Sequence, residues 1–271
     1  MQLAIQEHLL PGRTLTERYQ YAKSLGFDGI EVWAEGLETR LYEVAEALSH
    51  AQIPVAAVNI GRRAGYLSPD LAEREAAISF MRQAMATAVD LQADHVLFVP
   101  HWGPLRTPDL TPLSNPYKLS HDLMIWLLRT VGDLAYALGV TLHMQPRHRY
   151  ETDFMRTLVQ AGAFCEAIKE YPYVRIAPHL FAMALEENDP LAALQAQATR
   201  IGYVHLSDSN GGLPGQGLLN LDQLAQTLKA IEYDGWLTIS AHEAYQDPVD
   251  LDRMRDQLPD CISLLRACGL T

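Results

Sequence analysis

One unit recurs along the 271-residue chain. A short β-branched apolar run leads into a polar loop and then an amphipathic helical stretch, at intervals of roughly thirty residues. The runs are Leu3–Gln6, Gly29–Ala34, Val55–Ile60, His95–Pro100, Val140–Pro146, Val174–Leu180, Gly202–Ser207 and Trp236–Ala241, and no low-complexity linker separates them. The intervening stretches carry helix punctuation. Thr14 with Glu17 has capping-box spacing, and Gly26 falls where that helix should stop. Ser68-Pro69 and Asp247-Pro248 each place an N-cap before a proline at the first helical position. Asn220 with Gln223 marks another start and Gly139 another end. Eight such units close most economically into a single (β/α)8 TIM barrel, expected as one domain over 1–271. A doubly wound α/β sheet would need a glycine-rich phosphate fingerprint at the first turn, and His8-Leu9-Leu10-Pro11-Gly12 is not one.

Composition narrows the partners. The formal charge of −12 disfavours nucleic-acid backbones and anionic membranes, which recruit Lys/Arg patches. No run reaches the ~18 apolar residues of a membrane span. The N-terminal stretch MQLAIQEHLLPGRT lacks the basic and long apolar regions of a secretion signal and reads as a first strand. Cys165, Cys261 and Cys268 are scattered and odd in number, which suits a reducing cytoplasm. The expected partner is therefore a small molecule. Apolar residues around Trp126 and Leu127 leave self-association to a homo-oligomer open.

In a barrel of this kind, side chains at the C-terminal ends of the strands build the site. Four runs in the second half end at Gln145, His179, His205 and Ser240. Strand alternation puts His143 with Gln145, His205 with Ser207 and Ser240 with His242 on shared faces, and His101 and Glu31 add to the set. His143 and His95 are read as structural histidines. His205 is read as functional, because the Ser-Asp-Ser-Asn-Gly-Gly and Pro-Gly-Gln-Gly segments that follow it offer backbone donors and close approach, with Asp208 among them. Arg149 and Glu151, after the fifth strand, fit either a ligand contact or the charge pattern of a helix start. The segment from His101 to Tyr117 holds Pro104, Pro108, Pro112 and Pro116 and reads as a lid.

The blocks G-F-D-G-I-E-V, P-R-H-R-Y-E-T-D-F, V-H-L-S-D-S-N-G-G-L-P-G-Q-G and I-E-Y-D-G-W-L-T-I occur in order along the strands. Together they resemble the xylose isomerase-like TIM-barrel superfamily, and within it the sugar phosphate isomerase/epimerase group that includes ketose epimerases. The resemblance implies a divalent metal (Mg, Mn or Co) held by Glu, Asp, His and Glu at the ends of strands five to eight, the two glutamates being also the proton-transfer pair. Those positions fall here on Gln145, His179, His205 and Ser240, so only His205 matches. The family's further glutamate is present as Glu151, its substrate-contacting histidine falls on Ala182, and an arginine falls on Gly211.

Gln145 cannot accept a proton, Ser240 is no base without a partner, and the set gives a hard cation no charged oxygen. The expectation is thus a sugar isomerase/epimerase-like protein with its metal-dependent site altered or lost. Two hypotheses stand side by side. In one, the chain is a divergent enzyme with His179, His205 and Glu151 catalytic, and His179 and His205, with His143, His242, His101 or Glu151 as a further ligand, forming a nitrogen-rich metal site that suits Zn2+. In the other it is a non-catalytic or regulatory barrel, where the same residues only hydrogen-bond a ligand. In both, Gln145, Arg149, His101, Asp208, Ser240, Glu31 and His242 are the residues expected to bind a sugar or polyol. At the eighth strand, Glu243 would need a bulge to replace Ser240.

Overall fold

In the computed structural model, which describes residues 1–241 and 247–271, eight parallel strands are joined by helices. The strands are β1 (Gln2–Gln6), β2 (Gly29–Trp33), β3 (Val55–Asn59), β4 (His95–Phe98), β5 (Thr141–Met144), β6 (Val174–Ile176), β7 (Tyr203–Leu206) and β8 (Trp236–Ile239). The helices are α1 (Leu15–Leu25), α2 (Leu37–Ala51), α3 (Leu71–Asp90), α4 (Pro116–Leu138), α5 (Leu158–Ala167), α6 (Leu180–Glu186), α7 (Pro190–Ala196), α8 (Leu221–Ala230) and α9 (Pro248–Ala267). The strands pair in the order β6-β5-β4-β3-β2-β1-β8-β7. The two ends of that order meet through the bridges Ile176–Ile201 and His179–His205, and the sheet closes into a (β/α)8 barrel.

The predicted strands all form; the first ends at Gln6 as expected, and the other seven stop short at their C-terminal ends. The sixth stops furthest short, at Ile176 instead of Leu180. Pro178 has no N–H to give to a ladder, and His179 already has a role at the start of α6. Alternation explains the two layers of core. Leu3, Ile5, Ile30, Val32, Val96, Phe98, Leu142 and Met144 face outward onto the helices, where each buried side chain contributes about 1.5–3 kcal/mol. Ala4, Ala57, Leu97, Ala177, Tyr203 and Trp236 face the barrel axis. That interior is crowded: a Cβ on Gly29 would lie 2.7 Å from the Trp236 ring, and one on Gly202 would lie 2.6 Å from His143.

Most of the helix punctuation holds. Thr14 accepts the amide N–H of Glu17 (3.2 Å), Gly26 ends α1 with φ +89°, and Gly139 ends α4 with φ +68°. Asn220 and Asp247 cap α8 and α9. The Ser68 expectation is corrected. Asp70 caps α3, accepting the amide of Glu73, while the Ser68 hydroxyl accepts the amide of Asp70. Leu127 is also corrected: it is fully buried in the helix layer, whereas Trp126 beside it is 43% exposed. Among the described residues no helix is long and apolar enough to cross a membrane.

Candidate functional site

Glu31, in the middle of β2 and facing the barrel axis, lies at the centre of the site below the C-terminal mouth and is 1% exposed. An extra residue in β3 shifts its register with β2, so that Ile30 lies opposite Val55 but Glu31 lies opposite Ala57. This bulge sets the end of β3 so that the Asn59 amide reaches Glu31 Oε1 at 2.8 Å. Gln6, at the end of β1, donates to the same oxygen at 2.8 Å. The other oxygen, Oε2, meets His205 Nε2 at 2.7 Å. Burial alone would raise the Glu31 pKa, but His205 and the amides of Asn59 and Gln6 outweigh it and hold the carboxyl below its usual range.

The hydrogen bonds beyond His205 have a direction. Arg147 Nη1 donates to Gln145 Oε1 at 3.3 Å, and Gln145 Nε2 lies 2.8 Å from His205 Nδ1. A guanidinium can only donate, so it fixes the amide with its oxygen toward Arg147 and its N–H toward the imidazole. Nδ1 therefore accepts, and the ring hydrogen sits on Nε2, facing Glu31. A single donor-to-acceptor series runs from Arg147 through Gln145 and His205 to Glu31. Arg147 is itself held side-on by Glu151, with Nε to Oε2 at 2.7 Å and Nη2 to Oε1 at 3.0 Å. Both side chains are buried, and His148 Nε2 lies 3.2 Å from Glu151.

These groups surround a small cavity of about 40 Å3 lined by Gln6, Trp33, Asn59, Gly61, Arg62, Val99, Trp102, Gln145, Arg147, His179, His205 and Ala241. Trp102 comes from the proline-rich segment, which is pinned across the fifth loop by Gly103 N–H to Glu151 O (2.7 Å) and Asp153 N–H to Gly103 O (3.1 Å). The Trp102 ring lies under Arg62 at 4.5 Å and Arg147 at 5.4 Å. Among the described residues, four buried polar atoms at this end of the barrel have no protein partner: Gln6 Oε1 and Trp102 Nε1, whose residues line the cavity, and Ser207 Oγ and Ser240 Oγ, whose residues do not. A larger cavity, about 330 Å3, opens at the opposite end beside His95, Arg175 and Tyr233. The strands there present their N-terminal ends, where barrels of this kind do not do their chemistry.

The structure brings Glu31, Gln145, Glu151, His179, His205 and Ser240 to one mouth. His179 Nδ1 accepts the amide N–H of Ala182 (3.4 Å) and caps α6. Arg149 turns away: its amide and guanidinium bind Glu186 at 2.5 and 2.7 Å. Asp208 organises its own loop, accepting amides of Ser209 (2.7 Å), Gly215 (2.8 Å) and Leu219 (3.0 Å), and lines no part of the cavity. His101 makes its ring contact with Pro104 O at 3.0 Å. His242 and Glu243 lie outside the described residues. His143 and His95 hydrogen-bond each other (2.8 Å) deep in the barrel, and burial holds the His143 pKa well below its usual value.

Sequence reasoning missed Arg147, Trp102, Gln6, Asn59, Trp33 and Arg62. Arg147 continues the parity that links His143 to Gln145. Gln6, Trp33 and Asn59 end the first three strands, where the strand-end rule applies equally.

The divalent metal that the resemblance implies does not fit the described residues. Gln145 has both ends of its amide engaged, His205 has both nitrogens engaged, and Ser240 is neutral. Among the described residues no three His, Cys, Asp or Glu side chains are grouped to hold a metal. A zinc site on His179 and His205, whose ring centroids are 5.5 Å apart, lacks a third ligand there.

Barrel, strand-end polar residues and buried carboxylate–imidazole pair together define a (β/α)8 barrel with a polar C-terminal mouth. The model of the xylose isomerase-like TIM barrel family matches residues 19–266, and the chain belongs to that family. Among its relatives is the 3-dehydro-D-guloside 4-epimerase of Escherichia coli (strain K12), 24% identical over 271 residues, covering 99% of this chain and all of that one. The crystal structure of 3-keto-D-glucoside 4-epimerase from E. coli, in its apo form, superimposes with a TM-score of 0.85 at 22% identity, covering 99% and 100% of the two chains. A D-psicose 3-epimerase crystallised in the presence of D-fructose gives 0.81 at 18% identity, covering 99% of each chain. At those identities the two structures establish the fold.

Proposed function

We propose that this sugar epimerase/isomerase-like barrel binds a small sugar or polyol at its C-terminal mouth, and that the metal-dependent proton transfer implied by the family resemblance has been lost from the site. The observation that carries this reading is the pair of polar atoms on cavity-lining residues that lack a partner among the described residues, Gln6 Oε1 and Trp102 Nε1. Buried polar atoms cost free energy unless something bonds them. One acceptor and one donor match a molecule whose own hydroxyls both give and take. The indoles of Trp33 and Trp102 flank the same cavity and supply apolar faces for C–H groups. The carboxylates are less available: Glu31 is bonded on both oxygens and Glu151 is clamped by Arg147.

Two measurements test the reading. Calorimetric titration with D-psicose and D-fructose should show saturable binding. NMR of the same sugars in D2O should show no metal-dependent deuterium uptake at carbon. Failure of every sugar and polyol to bind would sink the binding claim, and epimerisation switched on by Mn2+ would sink the claim of loss. The enzyme reading keeps one specific support, the His148–Glu151–Arg147 cluster beside the cavity. Metal-independent turnover abolished by His179→Ala would favour it.

A further inference from the structure

We infer that the Arg147 guanidinium takes the place of a divalent cation in this barrel and anchors an oxygen of the bound sugar. The anchoring role rests on the sugar-binding reading for its ligand, whereas the replacement of the metal stands separately. Arg147 is 6% exposed and lines the cavity. Of the five N–H hydrogens a guanidinium carries, three are engaged, two by Glu151 and one by Gln145. The remaining two belong to Nη1 and Nη2.

The charge is fixed in place from several sides. Glu151 grips one edge, Trp102 lies against the group, and the Gln145 amide receives one N–H. A guanidinium 3.3 Å from Gln145 Oε1 also repels any divalent ion that would coordinate that oxygen. The ion would find a neutral amide, a histidine already bonded at both nitrogens and a neutral hydroxyl at three of the four positions that the resemblance assigns to metal ligands. Arginine differs from a metal in a useful respect. It polarises a carbonyl or hydroxyl oxygen through hydrogen bonds as well as charge. The ligand class is therefore a neutral sugar with an acceptor oxygen placed at Arg147, within reach of the hydroxyl-binding atoms of Gln6 and Trp102.

The test has two arms. In the first, EDTA-treated protein is titrated with Mn2+ alone and followed by electron paramagnetic resonance. No saturable site is expected, and one equivalent of tightly bound Mn2+ overturns the inference whatever sugars do. In the second, D-psicose binding is measured calorimetrically with and without excess EDTA. It should be unchanged by EDTA and weakened about tenfold or more in the Arg147→Met/Glu151→Gln double variant, which removes both charges of the pair together. Arg147→Lys, which keeps the charge without the planar fork, should also weaken binding and guards against misfolding of the double variant. Undiminished binding in folded variants overturns the anchoring role. If D-psicose fails to bind the unaltered protein, the same variants are titrated with whichever sugar or polyol does bind; if none binds, the sugar reading and the anchor fall together, while the Mn2+ arm still decides the claim about the metal.

Discussion

Replacing Glu31 by glutamine changes one oxygen into an N–H donor without changing the shape, and the direction of the hydrogen bonds sets the cost. The oxygen of the introduced amide can still accept from Gln6 and Asn59, which reach Glu31 Oε1 at 2.8 Å each. Its nitrogen would face His205 Nε2–H, donor against donor, where the carboxylate now sits at 2.7 Å. Moving the imidazole hydrogen to Nδ1 only transfers the conflict to Gln145, and turning that amide transfers it to Arg147, which has no acceptor to offer. One buried donor is left without a partner wherever the mismatch settles. A lost bond to a charged group and a buried unsatisfied donor are each worth roughly 1.5–3 kcal/mol, so the variant should lose about 3 kcal/mol. At about 2 °C per kcal/mol for a chain of this size, the midpoint should fall by roughly 6 °C.

Adding Gln145→Glu should undo the damage. Its carboxylate would accept from Arg147 on one oxygen and from His205 Nδ1–H on the other, leaving the imidazole Nε2 to accept from the amide introduced by Glu31→Gln. Both bonds of His205 then run in the opposite sense, Arg147 still donates to residue 145, and the charge is conserved. Urea unfolding of the two single variants and the double variant gives the coupling energy, expected at about 2 kcal/mol or more in favour of the double variant. Nitrogen-15 spectra of the imidazole should show the ring hydrogen moving from Nε2 to Nδ1. Additive stabilities, or a single Glu31→Gln variant as stable as the parent, would refute the directional reasoning.

Neighbouring features carry three more expectations. Burial, opposed by Glu31 and Glu7, lowers the His8 pKa to about 4, so the unfolded chain takes up the proton first as pH falls. This contribution to stability is full above about pH 6.5 and declines toward pH 4, costing about 1–2 kcal/mol between pH 7 and 5. Urea titrations should show that slope reduced in His8→Gln. Burial would raise the Asp208 pKa, but the amides of Leu219, Ser209, Gly217 and Gly215 hold it below the usual range. Asp208→Ala should therefore cost about 3 kcal/mol at neutral pH by urea unfolding, and less below about pH 4, where the carboxylate of the unfolded parent takes up its proton before the folded one. Trp102→Ala should weaken sugar binding about tenfold by calorimetry while changing stability by less than about 1 kcal/mol, since the ring is half-buried at the mouth. A larger fall in stability with unchanged affinity would assign the ring to packing instead.

The sequence by itself determined the barrel. Eight apolar runs spaced by helical stretches leave few ways to bury every strand, and the location of the site followed from where those runs end. It also determined the identities at the mouth: Gln145, His179, His205 and Ser240 are neutral or basic whatever their geometry. Only the tertiary structure decided how those residues are engaged. Glu31 and His205 are 174 positions apart, and Arg62 reaches Glu151 across 89, so no local pattern couples them. The β3 bulge that aligns Asn59 with Glu31 depends on pairing with β2, which spacing along one strand does not reveal. Arg149 and Asp208 show the converse. Each has the residue type and loop position of a ligand contact, yet Glu186 on α6 takes one and four local amides take the other. Hydrogen-bond partners are chosen in three dimensions, and the chemistry of this mouth depends on that choice.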